Sequence, residues 1–167
     1  TRAFGAGAAT VAAKYPVAAG GSYDDALAQI ETDAVFGCPS RAVARKLTAL
    51  GVPVYRYMWR RPVDSGALAG MGAAHSTDIA FLFGNSSTLA KVGGEGQPLV
   101  TATMGYWAQH ALAGDPNGAG RPTWPRYDTA TDAHLVMDLP PAAGTMFRAG
   151  ECDFWDAQPP IRIPRTY

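Results

Sequence analysis

Hydrophobic positions in the first third of the chain recur at helical spacing. The alanine-rich segment 3–14 predicts the end of a helix that Pro16 stops. Residues 24–31 predict a second, short helix after the glycine pair Gly20-Gly21. The chain therefore begins as a series of short helices joined by tight connections.

A third helix is predicted from Pro39, which suits a first helical turn, to Gly51, which is placed to end it. Its apolar positions recur at i, i+4 and i+7: Val43, Leu47 and Leu50. Arg41 and Arg45 lie off this stripe. We expect the apolar side to pack on a sheet and the basic side to face water.

Residues 52–60 predict a strand that is buried on both faces. The segment is nearly continuous in apolar and aromatic side chains rather than alternating, as is typical of a covered parallel sheet. The only other plausible strand is short, at residues 134–138. The pattern therefore predicts an α/β chain with one core strand and several helices, which supplies little of its own sheet.

The second half of the chain predicts a longer helix, an ordered loop and a short final helix. Residues 99–113 carry an apolar stripe, with Val100, Met104, Trp107 and Ala111, and Gly114 ends the helix. Residues 115–132 are rich in Gly, Pro, Asn and Thr and predict a surface loop that Trp124 and Tyr127 hold in place. Residues 150–155 predict the final helix, before a proline-rich tail.

Composition agrees with a globular protein and excludes several classes. Of 167 residues, 47% are hydrophobic and 17% are charged, and the formal net charge is zero. This balance argues against disorder and allows one domain-sized body. It provides no electrostatic surface for nucleic acid or an anionic membrane. No apolar stretch approaches the roughly 20 residues of a transmembrane helix, so we expect no membrane span.

His75 is the most informative residue for chemistry. It lies among glycines and alanines, between the predicted core strand and a short apolar run, which predicts a loop residue whose imidazole reaches a partner. His110 falls inside the long helix and His134 begins the short strand, so both are interpreted as structural or solvent-facing. The histidines are not at metal-ligand spacing and the two cysteines are far apart, so neither a metal nor a cofactor is expected.

Several short motifs follow one another in a fixed order around this loop. They are Cys38-Pro39, Val54-Tyr55-Arg56-Tyr57, the His75 loop, Tyr106-Trp107-Ala108, Gly114-Asp115-Pro116-Asn117, Trp124-Pro125 and Cys152-Asp153-Phe154-Trp155. As an ordered set they resemble the C-terminal part of a type-B carboxylesterase, in the α/β-hydrolase family that includes the cholinesterases. The resemblance covers residues 15–155. It implies the C-terminal portion of an α/β-hydrolase fold, with His75 as the triad histidine of an enzyme that hydrolyses a small-molecule carboxylic ester of medium size.

The same resemblance implies that the chain lacks the rest of the triad. In α/β-hydrolases the serine, in a G-x-S-x-G elbow, and then the acid precede the histidine. The serines before His75 have no glycines two residues away on both sides: Ser22, Ser40 and Ser65. We therefore expect residues 1–167 to be the C-terminal fragment of a single carboxylesterase domain. Its partner would be the N-terminal portion of the same protein, and the fragment alone would be inactive.

Two residues that follow the histidine also bear on the site. The family usually has glycine directly after it, where this chain has Ser76. Asp78 occupies the family's acidic position three residues after the histidine. It either orients the loop and the surroundings of the imidazole, or caps the following short helix. A catalytically inactive cholinesterase-like adhesion or binding domain is the alternative function, although the retained His75 favours an enzyme.

The two cysteines bear on the compartment. From the sequence alone, a bridge between Cys38 and Cys152 and a pair of free thiols are equally open. The resemblance implies that they are joined, since cysteines at these places are paired in cholinesterases. A bridge implies an oxidising compartment, hence a secreted or extracellular protein. The sequon Asn85-Ser86-Ser87 is a candidate glycosylation site and adds only weak support.

Overall fold

The computed structural model describes residues 4–63, 69–84 and 96–159. We number its elements in chain order: α1 Ala8–Lys14, α2 Tyr23–Glu31, α3 Cys38–Ala49, β1 Tyr57–Trp59, α4 Thr77–Leu82, α5 Gln97–Ala113, β2 His134–Met137, β3 Ala142–Gly144 and α6 Ala149–Asp156. A 3-10 turn, Gly5–Gly7, precedes α1, and a π-helical segment, Thr32–Gly37, joins α2 to α3. The chain forms two compact units. Unit 1 comprises the described residues up to Lys46 and from Phe147 onward, and unit 2 is Leu47–Met146.

Helix α2 lies within one residue of its prediction, whereas α1 covers only the second part of the predicted segment 3–14. Helix α2 begins with a capping box: the Ser22 hydroxyl accepts the Asp25 N–H at 3.0 Å, and the Asp25 carboxylate accepts the Ser22 N–H at 3.2 Å. These two bonds satisfy backbone donors that the first helical turn cannot pair internally. The start of α2 is therefore defined by local sequence.

A disulfide lies in the core of unit 1. The Cys38 and Cys152 sulfur atoms are 2.07 Å apart, and their Cα atoms are 4.9 Å apart. Both residues are buried, in a cluster completed by Val11, Tyr15 and Trp155. The expected bridge is confirmed.

A buried ionic network lies beside this core. Asp33 is fully buried and accepts the Tyr15 hydroxyl at 2.7 Å and two hydrogen bonds from the Arg148 guanidinium. The Trp155 indole N–H donates to the Tyr15 oxygen at 2.7 Å. Burial, aided by the bond to Asp33, raises the pKa of Tyr15 to about 12. The tyrosine therefore remains a neutral donor to the buried carboxylate.

Helix α3 has its buried and exposed faces opposite to the prediction. Arg41 is only 2% exposed, and its guanidinium donates to the Asp153 carboxylate at 2.7 Å and to the Ala149 carbonyl at 3.3 Å. The predicted apolar stripe is outside, with exposed fractions of 55%, 37% and 79% for Val43, Leu47 and Leu50. The expectation of a wet basic side was wrong for Arg41. The bridge at Cys38 turns that side of α3 toward α6, where a carboxylate and a carbonyl satisfy the guanidinium.

Unit 2 contains a three-stranded sheet in the order β1-β2-β3. Strands β1 and β2 are parallel, with Tyr57 opposite Leu135, and β2 and β3 are antiparallel, with His134 opposite Gly144. The predicted short strand is confirmed as β2. The predicted core strand is shorter than expected, since only Tyr57–Trp59 of residues 52–60 is a strand. Within the described ranges, β1 has a strand partner on one edge only.

Helix α5 confirms the long predicted helix but buries a different stripe. Its buried residues are Leu99, Val100, Thr103 and Tyr106, whereas Met104 is 45% exposed. Gly114 ends the helix with a left-handed φ of 72°, as predicted from its sequence position. The buried stripe packs α5 against β1 and β2.

Four aromatic side chains from three segments (β1, α5 and the loop after α5) meet on this sheet: Tyr57, Tyr106, Trp107 and Trp124. The Trp124 indole N–H donates to the Arg56 carbonyl at 2.9 Å, and Asn117 makes hydrogen bonds to both the N–H and the carbonyl of Trp124. Tyr127 is buried and donates to Asp132. The loop after α5 is therefore held by the two aromatic residues that the sequence singles out.

Across the described part of the chain, none of the helices is both long enough and apolar enough to cross a lipid bilayer.

Candidate active site

His75 is exposed and occupies the second position of a tight turn. The turn spans residues 74–77 and is closed by a hydrogen bond from the Thr77 N–H to the Ala74 carbonyl at 3.2 Å. Ser76, in its third position, has φ 68° and ψ 1°. A positive φ at this position alone defines a type II turn, and glycine suits it best. This geometry explains why a glycine fits after the histidine and why Ser76 adopts a strained backbone in its place.

The turn continues directly into α4, and contacts made by Thr77 and Phe81 of α4 hold the turn in place. Thr77 is buried, and its hydroxyl donates to the same Ala74 carbonyl at 2.7 Å. Phe81, one turn later, is fully buried and packs on Trp59 of β1, with ring centroids 4.7 Å apart. Phe81 therefore belongs to the core of unit 2. It fixes α4, and through α4 the turn, to the sheet.

Asp78 connects the turn to β1 through a second contact. The Tyr57 hydroxyl donates to Asp78 Oδ2 at 2.6 Å. Burial, and then the bond to Asp78, raises the pKa of Tyr57 well above its usual range, so the tyrosine stays protonated and donates. Asp78 also lies in the first turn of α4, where a negative charge is favoured by the helix dipole.

The other two histidines lie elsewhere in unit 2. His110 is exposed on α5 and meets Tyr55 edge to face, with ring centroids 5.7 Å apart. His134 is 3% exposed, and its Nδ1 lies 3.1 Å from the Asp132 carbonyl. Burial lowers the pKa of His134, which favours the neutral imidazole. Both positions agree with the structural or solvent-facing roles that the sequence predicts.

The candidate glycosylation residue Asn85 lies outside the described residues. Among the residues that the structure does describe, no three His, Cys, Asp or Glu side chains are grouped so that they could hold a metal ion.

Sequence reasoning missed Tyr57 as a contact of the histidine turn. It interpreted the residue only as part of a buried strand, because nothing local distinguishes it from Tyr55, two positions earlier. The sequence contains both partners, Asp78 after the turn and Tyr57 in the preceding strand. Their pairing can be inferred only once the strand and the turn are known to pack together.

The order of these features along the chain matches a known family. The sequence profile of the carboxylesterase family matches residues 9–155. The chain belongs to the carboxylesterase family. Family membership, recognised in the sequence from short motifs, is thereby confirmed, and it implies an α/β-hydrolase fold. The helices and the small three-stranded sheet are consistent with part of such a domain.

Curated carboxylesterases align with most of this chain. It is 33% identical to carboxylesterase 5A of Felis catus over 140 residues, which are 78% of this chain and 26% of that protein. It is 33% identical to liver carboxylesterase of Sus scrofa over 128 residues, 74% of this chain and 22% of the relative. The precursor of a medium-chain fatty acyl-CoA hydrolase of Anas platyrhynchos is 31% identical over 134 residues, 78% of this chain and 24% of the relative. The chain thus spans about a quarter of the length of these relatives.

Proposed function

We propose that this chain supplies the histidine of a serine–histidine–acid triad in a carboxylic ester hydrolase. The observation that carries the proposal is the placement of His75, an exposed imidazole on a turn tied to the sheet, in a chain that belongs to the carboxylesterase family. A triad histidine needs both properties. It must be accessible to a serine and to a substrate, and it must be held by groups that do not themselves react.

In this mechanism His75 moves the proton in both halves of acyl transfer. It takes the proton of the serine hydroxyl as the oxygen attacks the ester carbonyl, and it returns that proton to the leaving alcohol. It then activates water in the same way to release the acid product. The serine, the carboxylate that fixes the imidazole tautomer and the backbone donors of the oxyanion hole come from the N-terminal portion of the same protein.

Asp78 has a supporting role in this proposal. Its carboxylate is occupied by the Tyr57 hydroxyl at 2.6 Å, so we assign it to holding the turn rather than to proton transfer. Its place in the first turn of α4 also favours the helix start. Ser76, not Asp78, is the N-cap residue of α4, so of the two roles suggested by the sequence we propose the one that orients the loop.

The N-terminal portion is proposed as the structural partner of this chain. The chain spans about a quarter of its relatives' length. Within the described ranges, one edge of β1 has no strand beside it, and the apolar stripe Val43, Leu47 and Leu50 of α3 is exposed. An unpaired strand edge and a solvent-exposed apolar stripe both favour aggregation. We expect residues 1–167 alone to be insoluble or molten, and inactive on an aryl ester.

We further propose that the protein is secreted and acts on a carboxylic ester of medium size. The Cys38–Cys152 bridge supports an oxidising compartment. The names of the relatives, carboxylesterases and a medium-chain fatty acyl-CoA hydrolase, support an acyl-oxygen or acyl-thiol bond as the target.

The test is a pair of histidine substitutions in the complete polypeptide that carries this sequence. His75→Ala should lower kcat for p-nitrophenyl butyrate by on the order of 10⁴-fold, because triad members act as a unit. His110→Ala, which also removes an exposed histidine of unit 2, is the matched control and should keep wild-type kcat. Circular dichroism and thermal unfolding should show that both variants fold.

Two outcomes would count against this function. If His75→Ala kept about a tenth of the wild-type rate, His75 would not be the triad base. If the complete wild-type polypeptide neither hydrolysed esters nor reacted with a fluorophosphonate at any serine, the inactive adhesion or binding domain would be the better description.

A further inference from the structure

We infer that Tyr57 is a positioning residue for His75 and acts through Asp78. The inference rests on the proposed function and extends it to a residue on the neighbouring strand. Its basis is the hydrogen bond from the Tyr57 hydroxyl to Asp78 Oδ2, 2.6 Å long, which joins β1 to the first turn of α4.

Tyr57 is the fixed end of this link. It lies in the ladder between β1 and β2, opposite Leu135. Its ring meets Trp107 and Trp124 edge to face, with centroid separations of 5.0 and 5.9 Å. A side chain held in this way on a paired strand has little freedom to move with a loop. The Tyr57 hydroxyl is therefore a fixed point, and its bond to Asp78 holds the turn in place relative to β1.

Helix α4 needs such an external anchor. It has only six residues, and Ser76 at its N-cap makes no side-chain capping bond. Isolated helices of this length are unstable, so α4 depends on contacts outside itself. Asp78 lies in the first turn of α4. Its bond to Tyr57 thus fixes the part of α4 that no N-cap side chain secures.

The constraint reaches His75 through two residues. Thr77, next to Asp78, makes two hydrogen bonds to the Ala74 carbonyl, one from its N–H at 3.2 Å and one from its hydroxyl at 2.7 Å. These bonds close the turn whose second residue is His75. A shift of Asp78 away from β1 therefore moves the turn and the imidazole together. Proton transfer is sensitive to such shifts, since a misplacement of about 1 Å can reduce a rate roughly 100-fold.

The test is Tyr57→Phe in the complete polypeptide, with Tyr55→Phe as the matched control. Tyr55, two residues earlier in the chain, lies near the carboxylate of Asp115, which is not part of the turn. Each substitution removes one tyrosine hydroxyl and keeps the ring. We expect Tyr57→Phe to lower kcat roughly 10- to 100-fold while KM changes by less than about threefold, and Tyr55→Phe to leave both close to wild type.

Asp78 substitutions test whether Tyr57 acts through that residue. Asp78→Ala removes the acceptor and should lower kcat as Tyr57→Phe does, and the double variant should show no further loss, because both changes remove the same hydrogen bond. Asp78→Glu keeps a carboxylate and should recover part of the rate. A double variant in which the two losses multiply would overturn the proposed route.

A readout independent of hydrolysis separates this inference from the proposed function. Amide hydrogen exchange at Thr77 and Ile79, which pair with the turn, should become faster in Tyr57→Phe and remain unchanged in Tyr55→Phe. If His75→Ala retained activity, the proposed function would fail. If His75→Ala lost activity while Tyr57→Phe stayed within about twofold of wild type, the positioning role alone would fail. The positioning role would also fail if Tyr55→Phe lost as much kcat as Tyr57→Phe. It would fail too if a smaller folded fraction of the Tyr57→Phe protein accounted for all of its lost activity.

Discussion

The buried carboxylate of Asp33 pairs with the guanidinium of Arg148 across a sequence separation of 115 residues. The pair connects the segment before α3 to the residue that precedes α6. Arg148 adopts a left-handed backbone there, with φ 50°. Tyr15 and Trp155 complete the network, so four side chains from three stretches of the chain are linked around one buried carboxylate.

Removing the Asp33 carboxylate should strongly destabilise the protein. Asp33→Ala leaves the guanidinium without its buried counterion, and breaking such a pair costs about 3–5 kcal/mol of unfolding free energy. The measurement is urea unfolding of the complete, oxidised protein. Asp24→Ala, at an exposed position in α2, is the control and should change stability by less than about 0.5 kcal/mol. Equal effects of the two substitutions would show that the buried pair does not contribute.

The disulfide should stabilise the protein and resist reduction in the folded state. Its cysteines are 114 residues apart, and in the chain-entropy model closing such a loop contributes about 5 kcal/mol. Cys38→Ser with Cys152→Ser should lower the unfolding midpoint accordingly. Because both residues are buried, dithiothreitol should reduce the bridge only when denaturant is added. Rapid reduction in native buffer would contradict this placement.

Ser76 should tolerate glycine far better than a β-branched residue. Its φ of 68° is left-handed, which costs a non-glycine residue roughly 1–2 kcal/mol. Ser76→Gly removes that strain but gives the unfolded chain more freedom, so we expect unchanged or slightly higher thermal stability. Ser76→Val should lower both stability and kcat, because the turn beneath His75 would distort. The measurement is the melting temperature, which should fall in the order glycine, serine, valine at residue 76. A valine variant that melts above the serine protein would contradict a left-handed backbone at this residue.

Acid should remove a stabilising contribution from His134. Burial, with a smaller effect from the positive charge of Arg56, lowers the pKa of His134 below its ordinary 6.5. The folded state thus favours the neutral ring. Its contribution is fully present above the unfolded pKa and is lost as pH falls through the folded pKa. Unfolding midpoints should therefore decline on the acid side of neutrality, and the decline should be shallower in His134→Asn. Parallel curves for the two proteins would contradict this assignment.

Local sequence predicts the elements whose signals are local. The glycine at residue 114 marks the end of α5, and Trp124 and Tyr127 mark an ordered loop. The placement of His75 in a loop follows from the small residues around it, whereas its proposed role required the resemblance to a family. Strand β3 was missed because Ala142–Gly144 contains none of the β-branched or aromatic residues that favour strands.

Features that depend on distant partners could not be predicted in the same way. The periodicity of α3 points to Val43 and Leu47 as its buried face, yet Arg41 is buried because Asp153 and the Ala149 carbonyl receive it. Asp33 carries no sequence signal for burial, since its counterion is 115 residues away. In both cases a long-range polar pairing outweighs hydrophobic periodicity.

The Cys38–Cys152 bridge also determines what a protease can do to this chain. His75 lies inside the covalent loop that the bridge closes. A single cut anywhere between the two cysteines would therefore leave two peptides joined by the sulfur atoms. Such a nicked chain would keep its mass on a non-reducing gel and divide only when reductant is added. The segment that carries His75 would remain attached after this cut, so a single cleavage would not release it.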